Sequence, residues 1–299
     1  MMPAQDMDAV DQAPAPVAAG LGAADALQIQ PSGFLIVMSL DWIILRASEN
    51  VDDFLGESHV TLIEEPLSRF VQAQALHDLR NHFSRLSGST GVARAYRIRL
   101  TDDRPRFDIA FQVSDGRVLL EAAPSPDHGL GETIGSVGGL IGGLADHSGA
   151  QLLDGAARRV RALTGCDRCL IRVGDGAGQR SAESKRESAS AAASEVHDLP
   201  PIVANTAARP VPIFPRRPND RSVASALLRS PPTDTLQLLA ERGVGSVISV
   251  PLSARGQPAG LIQCENRAPR EPNFERHAAA ELFAQMLALR LEVDRLQGT

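Results

Sequence analysis

The sequence predicts an α+β fold in two domains, each a central antiparallel sheet flanked by helices, with a long C-terminal helix. Three observations predict it. The chain has 299 residues, enough for about two domains at roughly 100–200 residues each. Short apolar or alternating stretches separated by Gly and Asp turn signals occur on both sides of a Pro- and Gly-rich break near residues 124–147. The last stretch, about 273–297, carries a broad apolar helical face.

Taken in order, residues 1–26 are rich in Ala, Pro, Gly and Asp, offer little to bury, and read as a disordered arm. Gly33 to Val37 and Trp42 to Ser48 are two β-rich runs forming a hairpin. Asn50 to Leu55 reads as a short helix stopped by Gly56. Pro66 to Leu86 spaces Leu67, Phe70, Val71, Leu76, Leu79 and Phe83 as a helix does. Three antiparallel strands follow at 93–100, 107–113 and 117–122, with turns at Asp102-Asp103 and Asp115-Gly116. The first domain is therefore placed at 27–124.

Residues 125–147 read as a linker containing a helix, in which Gly135, Gly138, Gly139, Gly142 and Gly143 suggest close helix packing or flexibility. The second domain is placed at 148–297. Leu152 to Leu163 is helical, Cys166 to Val173 turns into a strand, and 177–198 lacks apolar periodicity and reads as a mobile surface loop. Ser246 to Leu252 and Ala259 to Cys264 are strands joined by a turn at Ala254-Arg-Gly-Gln. In the final helix Leu282, Met286, Leu289, Val293 and Leu296 form a face suited to a second copy or a signalling partner.

Composition excludes several classes. Thirty Lys+Arg against 36 Asp+Glu leave a net charge of −6, so no basic field attracts DNA or RNA. A hydrophobic content of 43% with no run of about 20 apolar residues excludes a membrane helix. Three cysteines build no disulfide framework and suit a reducing compartment, and the acidic start lacks a signal peptide's pattern, so the cytoplasm is expected.

Ile29-Gln-Pro-Ser-Gly-Phe-Leu-Ile-Val, then Leu45-Arg-Ala-Ser-Glu-Asn and Phe54-Leu-Gly, resemble the PAS-domain opening of bacteriophytochromes. Thr164-Gly-Cys-Asp-Arg resembles the start of the phytochrome GAF domain. Leu228-Arg-Ser through Leu236 and Leu239 to Gly243-Val resembles its chromophore-side helix, and Gly260-Leu-Ile-Gln-Cys264 its late strand. The resemblance spans about 27–295 and stops before the place of a PHY domain or histidine kinase. It implies a PAS domain followed by a GAF domain, with Ile29, Gln30 and Pro31 threaded through the Pro-rich stretch Val203 to Pro232 in a phytochrome-type knot.

The same resemblance implies a degenerate chromophore pocket. Bacteriophytochromes attach biliverdin through a cysteine in the arm, where this chain has Val17-Ala-Ala-Gly-Leu. The attachment site beside the GAF histidine holds Thr233-Asp234-Thr235. The family's strand tyrosine is Arg172, its helix tyrosine Leu238 and its late histidine Glu265. The Asp-Ile-Pro signature survives only as Asp198-Leu199-Pro200, and the propionate-gripping helix after it is missing. With aromatic residues at 4%, few are available to wall a bilin. Arg172 and Glu265 carry opposite charges on strands of one sheet and are expected to pair across the pocket. Both facing solvent stays open, since alternation alone does not fix their faces.

Cys166-x-x-Cys169 lacks the further ligands zinc requires, and His197-Asp198 has no nucleophile beside it. Arg216, Arg217 and Arg221 form a basic cluster in the knot loop read as solvated surface. The expectation is a non-enzymatic sensory or regulatory module without cofactor or metal. It would act as a homodimer or through a signalling protein such as a histidine kinase. The alternative is noncovalent biliverdin or another tetrapyrrole in the GAF pocket, with Arg209, Arg216, Arg217 or Arg229 holding its propionates.

Overall fold

A computed structural model describes residues 27–297 apart from 87–90, 127–130, 175–177, 188, 190–197, 218–221 and 255. The arm expected at 1–26, Arg221, His197 and the middle of the loop expected at 177–198 lie outside the described residues.

The first sheet begins with the hairpin β2 (Phe34–Met38) and β3 (Ile44–Ser48), which pairs Ile36 with Ala47. β4 (Ala93–Ile98), β5 (Phe107–Ser114) and β6 (Arg117–Pro124) complete its local strands, and β6 returns beside β2 with Ile36 opposite Leu120. Every residue of β2 is buried. That pattern means both faces of the sheet are covered, which is why this strand reads as a continuous apolar run rather than an alternation. One face packs Phe34, Ile36, Met38, Phe107 and Phe111 under α1 (Val51–Leu55), α2 (His59–Leu62) and α3 (Ala73–Phe83). Gly56, at φ 80°, closes α1 in the left-handed region, as its glycine predicts.

The single helical segment expected from Pro66 to Leu86 is instead a 3-10 turn, Leu67–Arg69, followed by α3. Gln72 is extended between them and its N–H donates to Leu100 O at 2.8 Å, so a sheet-side acceptor interrupts the helical ladder. The four-residue α2 carries too little periodicity to be read from sequence.

The other face of this sheet is covered by chain from the second domain. β10 (Val211–Phe214) pairs with β3, Ile213 opposite Ser48, and on its far side with β1 (Gln28–Ile29), giving seven strands in the order β1-β10-β3-β2-β6-β5-β4. Ile213, Val223 and Ala226 pack on Leu35, Val37 and Leu119.

Between the domains, α4 (Gly131–Gly142) leans on the helical layer through Val137, with Leu144 just beyond its end. Of the five glycines, a Cβ at Gly135, Gly138, Gly139 or Gly142 would meet nothing within 4 Å, while one at Gly143, just past the end of α4, would meet the Arg159 guanidinium at 2.9 Å. The second sheet has the order β8-β7-β12-β11-β9, from β7 (Arg168–Val173), β8 (Arg180–Lys185), β9 (Ile202–Val203), β11 (Ser246–Ala254) and β12 (Gln257–Asn266). β8 corrects the expectation of a loop throughout 177–198. It is an edge strand whose inward side chains are only Ala182 and Ser184, too small to register as apolar alternation. One face of this sheet packs Ile171, Val250, Ile262 and Cys264 against α5 (Gly149–Thr164) and α7 (Phe274–Gln297), where Phe283, Leu287 and Leu291 are buried.

Candidate functional site

The second face of the GAF-side sheet is where the sequence places its candidate pocket. Cys169, Ile171, Ile262 and Cys264 point into the helical core, so Arg168, Leu170 and Arg172 on β7 and Gln263 and Glu265 on β12 point the other way. The register sets Glu265 opposite Arg168 and Leu261 opposite Arg172. The expected pair of Arg172 with Glu265 is therefore corrected. The Arg168 guanidinium lies 3.3 Å from Glu265 Oε2 and 2.6 Å from Glu183 Oε1 on β8, while Gln263 Nε2 donates to Glu265 Oε1 at 3.0 Å. Arg168 and Glu265 are 1% and 2% exposed. Charges so far from water persist because each oxygen of Glu265 and the guanidinium fork have polar partners. The offset between β7 and β12 decided the pairing, and no hairpin joins those strands to announce it.

α6 (Thr233–Glu241) lies towards the β9 edge of this sheet, burying Leu236 and Leu239 with Val203, Val244 and Val247. Thr235 is half-buried in its first turn, and Leu238, at 38% exposed, faces outward. Asp198 is exposed, with φ 60°, and Pro200 is buried ahead of β9. Of the six candidates, Arg172 and Glu265 thus share a sheet face, Pro200 leads to its edge, and Asp198 and Leu238 reach solvent. Two cavities of about 20 and 330 Å³ lie beside the connection from β12 to α7, both lined by Arg270 and Glu271, and none of the six lines either. The arginines considered as anion grips are also dispersed. Arg209, Arg216 and Arg217 are exposed, Arg216 lies over the Phe214 ring at 5.5 Å, and the Arg229 guanidinium reaches Asp198 O at 3.4 Å.

The three cysteines gather in the core, with Cys169 opposite Cys264 across β7 and β12. Hydrogen bonding to Cys264 and burial push the Cys166 thiol up, which suppresses the reactive thiolate. Among the described residues no group of three His, Cys, Asp or Glu is placed to hold a metal ion.

The junction of the two domains is tied by backbone and side-chain hydrogen bonds. Ile29 pairs with Val211 on one side and bridges to Arg229 on the other. The Gln30 side chain donates to Ile202 O at 2.6 Å and Arg229 O at 3.2 Å and accepts from Ala204 N at 2.7 Å. Pro31 is exposed, and its carbonyl accepts from Asn50 Nδ2 at 3.3 Å. At Gly33 an added Cβ would collide with the Ala122 carbonyl oxygen and, at 2.6 Å, with Leu228 Cδ1.

Two further anchors escape sequence reasoning. Glu121, fully buried on β6, accepts from the N–H groups of Leu227 at 2.8 Å and Leu228 at 2.7 Å, and burial pushes its carboxyl up to about 7. Arg94 on β4 reaches Glu281 on α7 at 2.6 Å, beside the buried His277. The available signal was a charge inside an apolar strand, as in Val118-Leu-Leu-Glu-Ala-Ala.

Residues 24–125 match the PAS fold family and residues 148–293 the GAF domain family, which defines a PAS–GAF tandem of the sensory class. The chain is 24% identical over 292 residues to cyanobacterial phytochrome B of Nostoc sp., covering 88% of this chain and 38% of the relative. It is 24% identical over 296 residues to a bacteriophytochrome of Pseudomonas aeruginosa, covering 90% and 40%. The crystal structure of the chromophore-binding domain of an unusual bacteriophytochrome from R. palustris superposes with a TM-score of 0.74 at 23% identity, covering 92% of this chain and 97% of that one. The chain belongs to the phytochrome-like PAS–GAF modules. It spans about two fifths of the length of the two phytochromes it matches. Among the described residues no helix is long and apolar enough to cross a membrane.

Proposed function

We propose that this chain is a non-enzymatic sensory or regulatory module of cytoplasmic signal transduction, without a covalently bound bilin, acting as a homodimer or through a partner such as a histidine kinase. The observation that carries the reading is the buried Arg168–Glu265–Gln263 cluster on the sheet face where the resemblance to phytochromes places the chromophore. A face built around a satisfied ion pair has its polar groups committed to one another rather than to a ligand. The domain division follows the sequence reading: an arm over 1–26, PAS over 27–124, a linker over 125–147 and GAF over 148–297. Ile29, Gln30 and Pro31 form the knot with the stretch from Val203 to Pro232, supported by bonds on both sides of the segment.

Dimerisation is assigned to α7. Leu282, Leu289, Val293 and Leu296 are exposed large apolar residues, and Met286 between them is half-buried. Their spacing of four, three, four and three is that of a coiled-coil seam. Sedimentation equilibrium should find a dimer that Leu289→Asp converts to a folded monomer. A dimer unchanged by the substitution refutes this assignment.

A second reading, noncovalent binding of biliverdin or another tetrapyrrole, draws on the relatives, one of which is described as a chromophore-binding domain. A red or far-red absorbance band on mixing with biliverdin separates it from the first reading.

A further inference from the structure

The smaller cavity, about 20 Å³, sits where the chain passes from β12 into α7 and is lined by Asn266, Arg270, Asn273 and Arg276, among others. Thr164, Ser246 and Asn266 on its wall are hydrogen-bonded, and the donors left without acceptors among the described residues belong to Asn273 and Arg276. Asn273 caps α7, its Oδ1 accepting from Arg276 N at 2.7 Å. The residue is 92% buried, being 8% exposed, and among the described residues nothing accepts from its Nδ2. Arg270 commits NH2 to Gly165 O at 2.9 Å. The Arg276 guanidinium has neither a hydrogen-bond nor an ion-pair partner among the described residues. Asn266 is already satisfied, accepting from Asp167 N at 3.2 Å and donating to Ser246 Oγ at 3.1 Å. The wall's one carboxylate, Glu271, is exposed and makes no ion pair with either arginine among the described residues.

Two guanidiniums thus share a cavity with an unpaired amide and the N-terminus of a 24-residue helix, all of the same electrostatic sign. Burial, and then the Arg270 charge beside it, pull the Arg276 guanidinium below its usual value against an opposing pull from Cys166. The cavity has room for one small particle, since a water needs roughly 10–15 Å³.

We propose that this cavity binds a single halide-sized anion, chloride in solution, held by the Arg270 and Arg276 guanidiniums and the Asn273 amide at the root of α7. The ion neutralises the charge concentrated where β12 hands over to the long helix. The site does not depend on the Arg168–Glu265 cluster or on the proposed loss of bilin chemistry.

Bromide is the probe. Crystals of the full chain grown in bromide should show an anomalous peak between Arg270, Asn273 and Arg276. In solution, chloride at ten times its half-saturating concentration should raise the unfolding midpoint by about 2–4 °C over phosphate at matched ionic strength. Asn273→Asp keeps the capping oxygen but puts a carboxylate in the cavity, so it should fold and lose both the peak and the chloride-specific rise. Arg276→Gln should lose them as well. Absence of the peak in the unsubstituted protein overturns the proposal. So does equal stabilisation by phosphate and chloride, or bromide density that survives in Asn273→Asp.

Discussion

Glu121→Gln isolates the titration of one buried carboxyl. Glu121 has no exposed surface, its oxygens accept the N–H groups of Leu227 and Leu228, and Gln112 Nε2 lies 3.4 Å away. Burial raises its carboxyl from 4.5 to about 7, against the opposing pull of those N–H groups, the Arg94 charge and Gln112. The folded chain therefore holds this proton more tightly than the unfolded chain. The stability it contributes is fully present below about pH 4.5 and is lost as pH rises through about 7. At about 1.4 kcal/mol per pH unit, the folded protein loses about 2–3 kcal/mol between pH 5 and pH 8 through this group. The amide of the Glu121→Gln variant cannot titrate, so this position adds no pH dependence to its stability, while its NH2, unable to accept one of the two N–H groups, lowers the whole curve by a constant. Urea unfolding of both proteins, followed by far-ultraviolet circular dichroism from about pH 4.5 to 8.5, should give a stability difference that changes with pH. Between about pH 4.5 and pH 8 that difference should shift by about 2–3 kcal/mol in the variant's favour. Contributions of every other group cancel in the difference. Parallel curves would show that Glu121 does not titrate in the folded range, and would refute its role as a buried, proton-holding anchor between the PAS and GAF domains.

Other substitutions test the remaining contacts. Arg168→Met strands the buried Glu265 and should cost about 3–5 kcal/mol in urea unfolding, with most of it recovered when Glu265→Met is added. Arg172→Met, in register with Leu261, should cost clearly less, and a larger cost than Arg168→Met would contradict the assigned register. Gly33→Ala drives a methyl into the Ala122 carbonyl and Leu228 and should destabilise by about 1–3 kcal/mol, read as a lower unfolding midpoint. Phe283→Ala opens the packing under α7 and should cost about 3–5 kcal/mol.

Much of the fold was legible because its signals are local. The β2–β3 and β5–β6 hairpins carry turn residues between apolar runs, Gly56 stops α1, and α7 repeats its apolar face for 24 residues. What escaped depends on chain far away in sequence. β10 is Val-Pro-Ile-Phe in a Pro-rich stretch and becomes a strand only against β3, some 165 residues earlier. β8 is recognisable only once β7 stands beside it. The Arg172–Glu265 expectation had the right carboxylate and sheet face, but chose an arginine two alternation periods along β7 from the true partner. Strand alternation fixes a face and leaves register free, so Arg168 and Arg172 were equivalent until β7 and β12 were aligned.

The most direct test of the central claim is an absorbance spectrum, from the near ultraviolet to the far red, of the protein purified after co-expression with a heme oxygenase and freed of unbound pigment. A folded, colourless protein is the expected result. A stoichiometric red band that light switches reversibly would contradict it, establishing a bilin photoreceptor despite the charged cluster on its pocket face.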